Sequence, residues 1–171
     1  MFEALTLYKL IVLYMLDNSS APLENAQISD FVLEKEYTDY FTLQQAMAEL
    51  CESDLVKIES TKNNAFYHIT KKGQETLNFF KDKISPAIID DINSYIEKNK
   101  LQIINTASII TDYYKSTDSS YIANCKVREK NSVILDLSIS VGTKEQAERI
   151  CKNWKFQNEA IYSYLMKMLL D

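Results

Sequence analysis

Leu55-Val56-Lys57-Ile58-Glu59, the polar run Ser60 to Asn64, Phe66-Tyr67-His68-Ile69 and Thr70-Lys71-Lys72-Gly73 form the stretch that decides the fold of the first half. The opening segment alternates apolar and polar side chains, the pattern of a strand with one covered face. A short polar tip and a second apolar-rich segment follow, so the two segments read as a hairpin. Thr70-Lys71-Lys72-Gly73 then opens a helix. A hairpin closed by a capped helix is a wing.

Working outward, the preceding residues supply three helices. The first, Ala4 to Leu16, is apolar nearly all round, with Thr6 and Lys9 its only polar residues, so it should be buried on most sides. The second begins near Glu24 and has its apolar face at Ala26, Ile28, Phe31 and Val32. A turn, Glu36 to Phe41, leads to a third helix expected to start at Thr42. Thr42 with Gln45 three residues on matches a capping box. Leu43, Met47 and Leu50 fall on one face of that helix, leaving Gln44, Gln45, Ala48, Glu49 and Glu52 outward. Together these elements predict a winged helix-turn-helix domain over residues 1–83, with a fourth helix running to about Lys81 and burying Leu77 and Phe80.

Ser85-Pro86 is a helix start, serine as N-cap and proline at the first helical position. The helix it opens runs to about Lys98 with a wide apolar stripe at Ile88, Ile89, Ile92, Tyr95 and Ile96, and residues 84–100 read as a linker helix. From Leu101 the period shifts from about 3.6 to 2. Strands are expected at about Thr106 to Tyr114, around Tyr121 to Val127, and along Val133, Leu135, Leu137, Ile139 and Val141, whose alternation puts all five on one buried face. Gly142-Thr143 with Gln146 caps a helix carrying Ala147, Ile150, Cys151 and Trp154, and a last helix spans about Asn158 to Leu170. Residues 101–171 therefore read as a small domain of three antiparallel strands and two helices, serving dimerisation or sensing. The whole chain is α+β.

The element order and the phrase Tyr67-His68-Ile69-Thr70-Lys71-Lys72-Gly73-Gln74-Glu75-Thr76-Leu77 resemble the winged-helix repressors of the PadR and MarR superfamily, most closely a poorly characterised winged-helix family from clostridial bacteria. The resemblance covers roughly the first half of the chain. Asp54 stands where such repressors commonly have a glycine ending the third helix, and aspartate tolerates the left-handed conformation at some cost. In the repressors that the sequence resembles, a helix like Ser85 to Lys98 joins the DNA-reading domain to a dimerising or sensing region. The resemblance implies a dimeric transcriptional regulator that binds double-stranded DNA and responds to a small-molecule effector.

On that reading Tyr40, Thr42, Gln44, Gln45 and Glu49 face the major groove: either glutamine can pair bidentately with adenine, and Glu49 can accept from cytosine. Lys57, Lys62, Lys71 and Lys72, with Asn63 and Asn64 at the wing tip, are the expected phosphate contacts. Ile88, Ile92, Tyr95 and Ile96 are the expected dimer interface. Charge opposes this picture, because residues 1–80 carry six lysines and twelve acids, a net of −6 within a chain total of −5. The alternative is a winged-helix module that docks proteins through an acidic third helix.

Composition narrows the remaining classes. At 46% hydrophobic and 25% charged the chain is ordinary for a globular protein with a core. Two glycines and two prolines argue against flexible linkers and glycine-rich phosphate loops. Cys51, Cys125 and Cys151 are widely spaced, and with a single histidine, His68, they offer no metal-binding cluster. They read as buried thiols of a reducing cytoplasm. The apolar run Leu10 to Leu16 is far short of the ~18 residues of a membrane span, and Glu3 stands where a secretion signal needs positive charge. No nucleophile motif appears, and no enzymatic activity, cofactor, metal or membrane partner is expected.

Overall fold

The computed structural model describes residues 3–61, 63–129 and 132–170. The chain divides into two compact units, Met1–Glu59 with Ala65–Ile104, and Ser60–Asn64 with Asn105–Asp171. It is an α+β protein with two three-stranded sheets.

In the first unit, helix α1 (Ala4–Asn18) buries every residue from Leu10 to Leu16, as its all-round apolar sequence requires. It packs against α3 (Tyr40–Glu52), α4 (Lys71–Phe80) and α5 (Pro86–Lys98). Full burial of a large aliphatic side chain is worth about 1.5–3 kcal/mol, so this helix is the pillar of the core. Strand β1 (Leu23–Glu24) leads into α2 (Asn25–Glu34), whose start is closed by the Glu24 amide donating to Gln27 Oε1 at 2.8 Å. Strands β2 (Val56–Ser60) and β3 (Ala65–Ile69) form the hairpin, and β1 joins β3 in the order β1-β3-β2. Leu23 pairs with Tyr67 and Glu24 with Phe66. This succession of helix, strand, two helices and hairpin is the element order expected of a winged helix-turn-helix unit.

Two tight turns in this unit use left-handed residues that are not glycine. Glu36, at φ 56°, reverses the chain between α2 and α3, and Asp54, at φ 59°, ends α3 where the left-handed conformation was expected. Thr70 caps α4, accepting from the Gly73 amide at 3.0 Å while its own hydroxyl lies 2.7 Å from the Asp54 carbonyl. Leu77 is buried, but Phe80 is 38% exposed and stacks edge-on with the still more exposed Phe79. The chain turns at Lys81–Lys83 and seats Ile84 in the core instead.

Helix α5 starts as read, with Ser85 Oγ accepting from the Ile88 amide. It is not a linker, however. Ile92 is fully buried and Ile96 nearly so, both within the same core as α1, with Ile88 and Tyr95 packed against it. Tyr95 donates its hydroxyl to the Gln27 carbonyl at 3.1 Å. The chain continues into a further helix, α6 (Lys100–Ser108), where a strand was expected to begin; Ile103 and Ala107, four residues apart, are both buried.

The second unit contains strands β4 (Ile109–Lys115), β5 (Tyr121–Glu129) and β6 (Ser132–Val141), antiparallel in the order β4-β5-β6. Ala123 lies opposite Ile139, Cys125 opposite Leu137 and Val127 opposite Leu135, with a register shift at Val127/Arg128. The expected helix pair is one continuous helix, α7 (Lys144–Leu170). Thr143 and Gln146 do form its capping box, each side chain accepting the other's amide at 3.2 Å. Asn158, read as the start of a separate helix, lies mid-helix and returns its amide to the Trp154 carbonyl at 3.0 Å, a local bond that satisfies the side chain without breaking the helix. Ala147, Cys151 and Trp154 meet the sheet, and the Trp154 indole donates to the Lys126 carbonyl at 3.2 Å. Burial pushes the Cys125 thiol up to about 12, in keeping with an inert core cysteine.

One expectation for this unit fails. Leu135, Leu137, Ile139 and Val141 share a face, but the register shift sets Val133 opposite Arg128 and so turns it to the other face; the shared face is only partly covered, with Leu135, Leu137 and Val141 half-buried and Ile139 42% exposed. β6 is an edge strand, and α7 packs mainly over β4 and β5.

Candidate nucleic-acid interface

Helix α3 begins at Tyr40, two residues before the expected start, because Asp39 and not Thr42 is its cap. The Asp39 carboxylate accepts from the Thr42 amide and hydroxyl, both at 2.9 Å, and the Thr42 amide in particular holds its pKa below the usual carboxylate value. An anionic cap at a helix N-terminus also suits the helix dipole. Thr42 is thereby committed to its own helix terminus. Tyr40 and Phe41, 48% and 83% exposed, stand edge-to-face at 5.8 Å at the head of the helix.

The two glutamines have different fates. Gln44 faces α2 in a reciprocal amide pair with Asn25: Asn25 Nδ2 donates to Gln44 Oε1 at 2.7 Å, and Gln44 Nε2 donates to Asn25 Oδ1 at 3.1 Å. Asn25 Oδ1 also accepts from the buried Ser29 hydroxyl at 2.8 Å. Gln44 therefore locks α3 onto α2 and is withdrawn from the readout assigned to it. Gln45 is exposed and its amide donates to Glu49 Oε1 at 3.1 Å. Glu49 in turn is ion-paired with Lys9 of α1, and that contact keeps its carboxyl below the ordinary range. Helix α3 contains no Lys or Arg.

Around the hairpin, Lys57 and Lys71 are exposed, and Lys72 reaches the Ser53 carbonyl at the end of α3 with its ammonium at 3.0 Å. Across the hairpin strands His68 Nε2 lies 3.3 Å from Glu59 Oε2. Lys62 falls outside the described residues. Asn63 is exposed, but Asn64 is buried and its Oδ1 accepts the Thr111 amide at 3.0 Å, while Thr61 donates its hydroxyl to the Thr111 carbonyl at 3.0 Å. Asn64 is thus a structural residue of the second unit and not a phosphate contact. A short polar loop looks alike whether it meets water or an open strand edge, so sequence could not separate the two.

Ile92 and Ile96 are likewise removed from the expected dimer interface by their burial in the first unit's core. Phe41, the most exposed aromatic on α3, was read only as part of a turn because the helix start was placed too late. In the second unit an open cleft of about 470 Å³ lies between β4 and α7, lined by Asn63, Tyr113, Glu148, Lys152 and Phe156 among others. There Tyr113 donates to Glu148 Oε1 at 3.0 Å. Among the described residues no cluster of His, Cys, Asp and Glu is arranged to hold a metal, and no helix is long and apolar enough to cross a membrane.

The fold and these surfaces define a two-unit α+β protein whose third helix presents aromatic, amide and acidic side chains. Over residues 8–169 the chain matches the family described as Domain of unknown function (DUF4364), and it belongs to that family. Among curated proteins and among solved structures nothing matches it.

Proposed function

We propose that the protein is a dimeric, cytoplasmic DNA-binding transcriptional regulator, with the first unit reading DNA and the second dimerising and receiving a small-molecule effector. The observation that carries this reading is the presentation of α3. The Asn25–Gln44 lock and the Glu36 turn hold it rigidly on α2 with Tyr40, Phe41 and Gln45 outward. A helix held this way can enter the major groove, with Lys57, Lys71 and Lys72 left for phosphates. Gln45 is the remaining glutamine able to read adenine once its contact with Glu49 is exchanged. Acids at Glu52 and Asp54 keep non-specific affinity low, so binding should be salt-sensitive and modest.

The test is selection of bound fragments from genomic DNA at low salt, followed by titration of the preferred fragment. Gln45→Ala should cost about 1–3 kcal/mol on that fragment and little on bulk DNA. Lys57→Ala should weaken all sequences alike and flatten the salt dependence by about one phosphate contact. A protein that binds no fragment above bulk DNA is not a regulator of this kind.

One observation favours a second reading, a docking surface for a protein partner: Phe41 is 83% exposed on a helix with no basic residue. In that case Phe41→Ser should abolish capture of a basic partner from lysate while DNA selection stays empty.

A further inference from the structure

Helix α7 carries one apolar stripe along its whole length. Ala147, Cys151, Trp154, Asn158, Ile161, Leu165 and Met168 follow one another at alternating spacings of four and three, which places them on a single face together with Tyr162 and Leu169. The first four are buried on the sheet. Beyond Asn158 the same stripe loses its cover: Ile161, Tyr162 and Leu165 are half-buried, and Met168 and Leu169 are 58% and 77% exposed. The residues after Asn158 extend the helix by about 18 Å at 1.5 Å per residue. No glycine, proline or charge run interrupts the stripe there, so nothing in the sequence excuses its exposure.

The same unit holds a second uncovered apolar surface. On β6, Leu135, Leu137 and Ile139 lie on the sheet face that bears Ala123 and Cys125, yet α7 covers the β4 and β5 lanes more fully than this one. A helix stripe lacking a sheet and a sheet lane lacking a helix therefore sit on one chain.

We propose that unit two forms a two-fold homodimer in which the terminal half of each α7 lies across the β6 lane of the other copy. A two-fold axis makes the exchange reciprocal, so a single contact type covers both exposed surfaces twice. The side chains involved hold on the order of 500–700 Å² of accessible surface per copy, so two copies together reach the ~1,000 Å² total expected of a specific interface. The partner is a second copy because each chain brings both halves of the contact in equal number. This arrangement deepens the dimer named above but stands apart from DNA binding, and an empty DNA selection leaves it intact.

The test uses the full chain and two substitutions at exposed positions, Met168→Glu and Ile139→Lys, with sedimentation equilibrium as the readout and circular dichroism as the check on folding. Wild type should sediment as a dimer, and each variant alone as a folded monomer. Mixing the two variants should restore a heterodimer, because one of its two contacts is native and the other sets the introduced glutamate against the introduced lysine. A wild-type protein that is monomeric across concentration overturns the proposal. So does either variant dimerising as wild type does, or a mixture that stays monomeric. Should a single variant fail to fold, Leu169→Glu replaces Met168→Glu and Leu135→Lys replaces Ile139→Lys, with the same outcomes required.

Discussion

Gly73 sits in the first turn of α4, where its backbone presses against the start of β2. A methyl group at its Cα would stand 2.1 Å from the Leu55 carbonyl oxygen and 2.8 Å from Ile69 Cγ1. The oxygen belongs to rigid backbone that is already engaged, accepting the Thr70 amide and hydroxyl, each at 3.1 Å. Relief of the clash therefore requires α4 to move by about 1 Å away from β2, and the Thr70 cap would stretch with it. Overpacking of this kind costs about 1–3 kcal/mol, and each weakened bond about 0.5–1.5 kcal/mol. The gain in helix propensity from Gly to Ala returns at most about 1 kcal/mol. Gly73→Ala should thus destabilise the first unit by about 2–4 kcal/mol. With a urea slope of about 2 kcal/mol/M, the midpoint followed by far-UV circular dichroism should fall by roughly 1–2 M. Gly142→Ala is the control: its added methyl would meet only Gln146 Oε1, at 3.7 Å, and should shift stability by no more than about 0.5 kcal/mol. A Gly73→Ala protein as stable as wild type would refute the close-packed junction of α4 and β2.

Asp54→Gly should stabilise by about 0.5–1 kcal/mol in the same urea assay, since the residue is held at φ 59° and glycine adopts that conformation without the side-chain penalty. Ile92→Asp should prevent folding of the first unit and abolish its cooperative transition, because an unpaired carboxylate would enter a fully buried site; a folded variant would show that α5 is peripheral to the core. Tyr37 has its pKa raised to about 12 by burial and by its hydrogen bond to Asp91. Because the folded value lies above the ordinary one near 10.0, its contribution to stability is complete below about pH 10 and is lost as pH rises toward 12. Phenolate absorbance should show a late step near pH 12 that Tyr37→Phe removes, and a profile without that step would refute the bond. Gln44→Ala should lower stability through loss of the Asn25 pair, by about 1–3 kcal/mol for the polar groups left unmatched.

What could be read from sequence followed periodicity and capping chemistry. The hairpin, the helices from α1 to α5, the left-handed Asp54 and the Thr143–Gln146 box all rest on contacts within a few residues, and each lies where its local chemistry demands. The errors arose where a local signal had two solutions. Thr42 with Gln45 and Asp39 with Thr42 both satisfy the grammar of a helix start, and the carboxylate won because it accepts two donors at 2.9 Å. Asn158 reads as a helix start until Trp154 on the preceding turn offers its carbonyl. Ile92 and Ile96 form an apolar stripe whether they face a partner or their own core, and periodicity carries no information about which. The same limit governed Gln44 and Asn64, whose partners, Asn25 and Thr111, are 19 and 47 residues away in sequence.

Contacts of this kind also bear on how an acidic first half could serve the DNA-binding role proposed above. Glu49 would repel a phosphate backbone if it stood alone, but its ion pair with Lys9 spends much of that charge inside the unit and ties α3 to α1. Gln44 spends its amide on α2. Both interactions give up potential base contacts in exchange for a rigid α3, and rigidity lowers the ordering cost at binding. The outward residues that remain, Tyr40, Phe41 and Gln45, are few, aromatic-rich and nearly uncharged apart from Glu52. Such a surface gains little from counterion release and must gain its affinity from contact, whether with thymine methyls and adenine edges or with a protein side chain. Removing the pair separates these cases: Lys9→Met frees the Glu49 charge, which should weaken binding to any DNA and strengthen it to any basic protein partner. Equal effects on both would mean that α3 is not the contacting element.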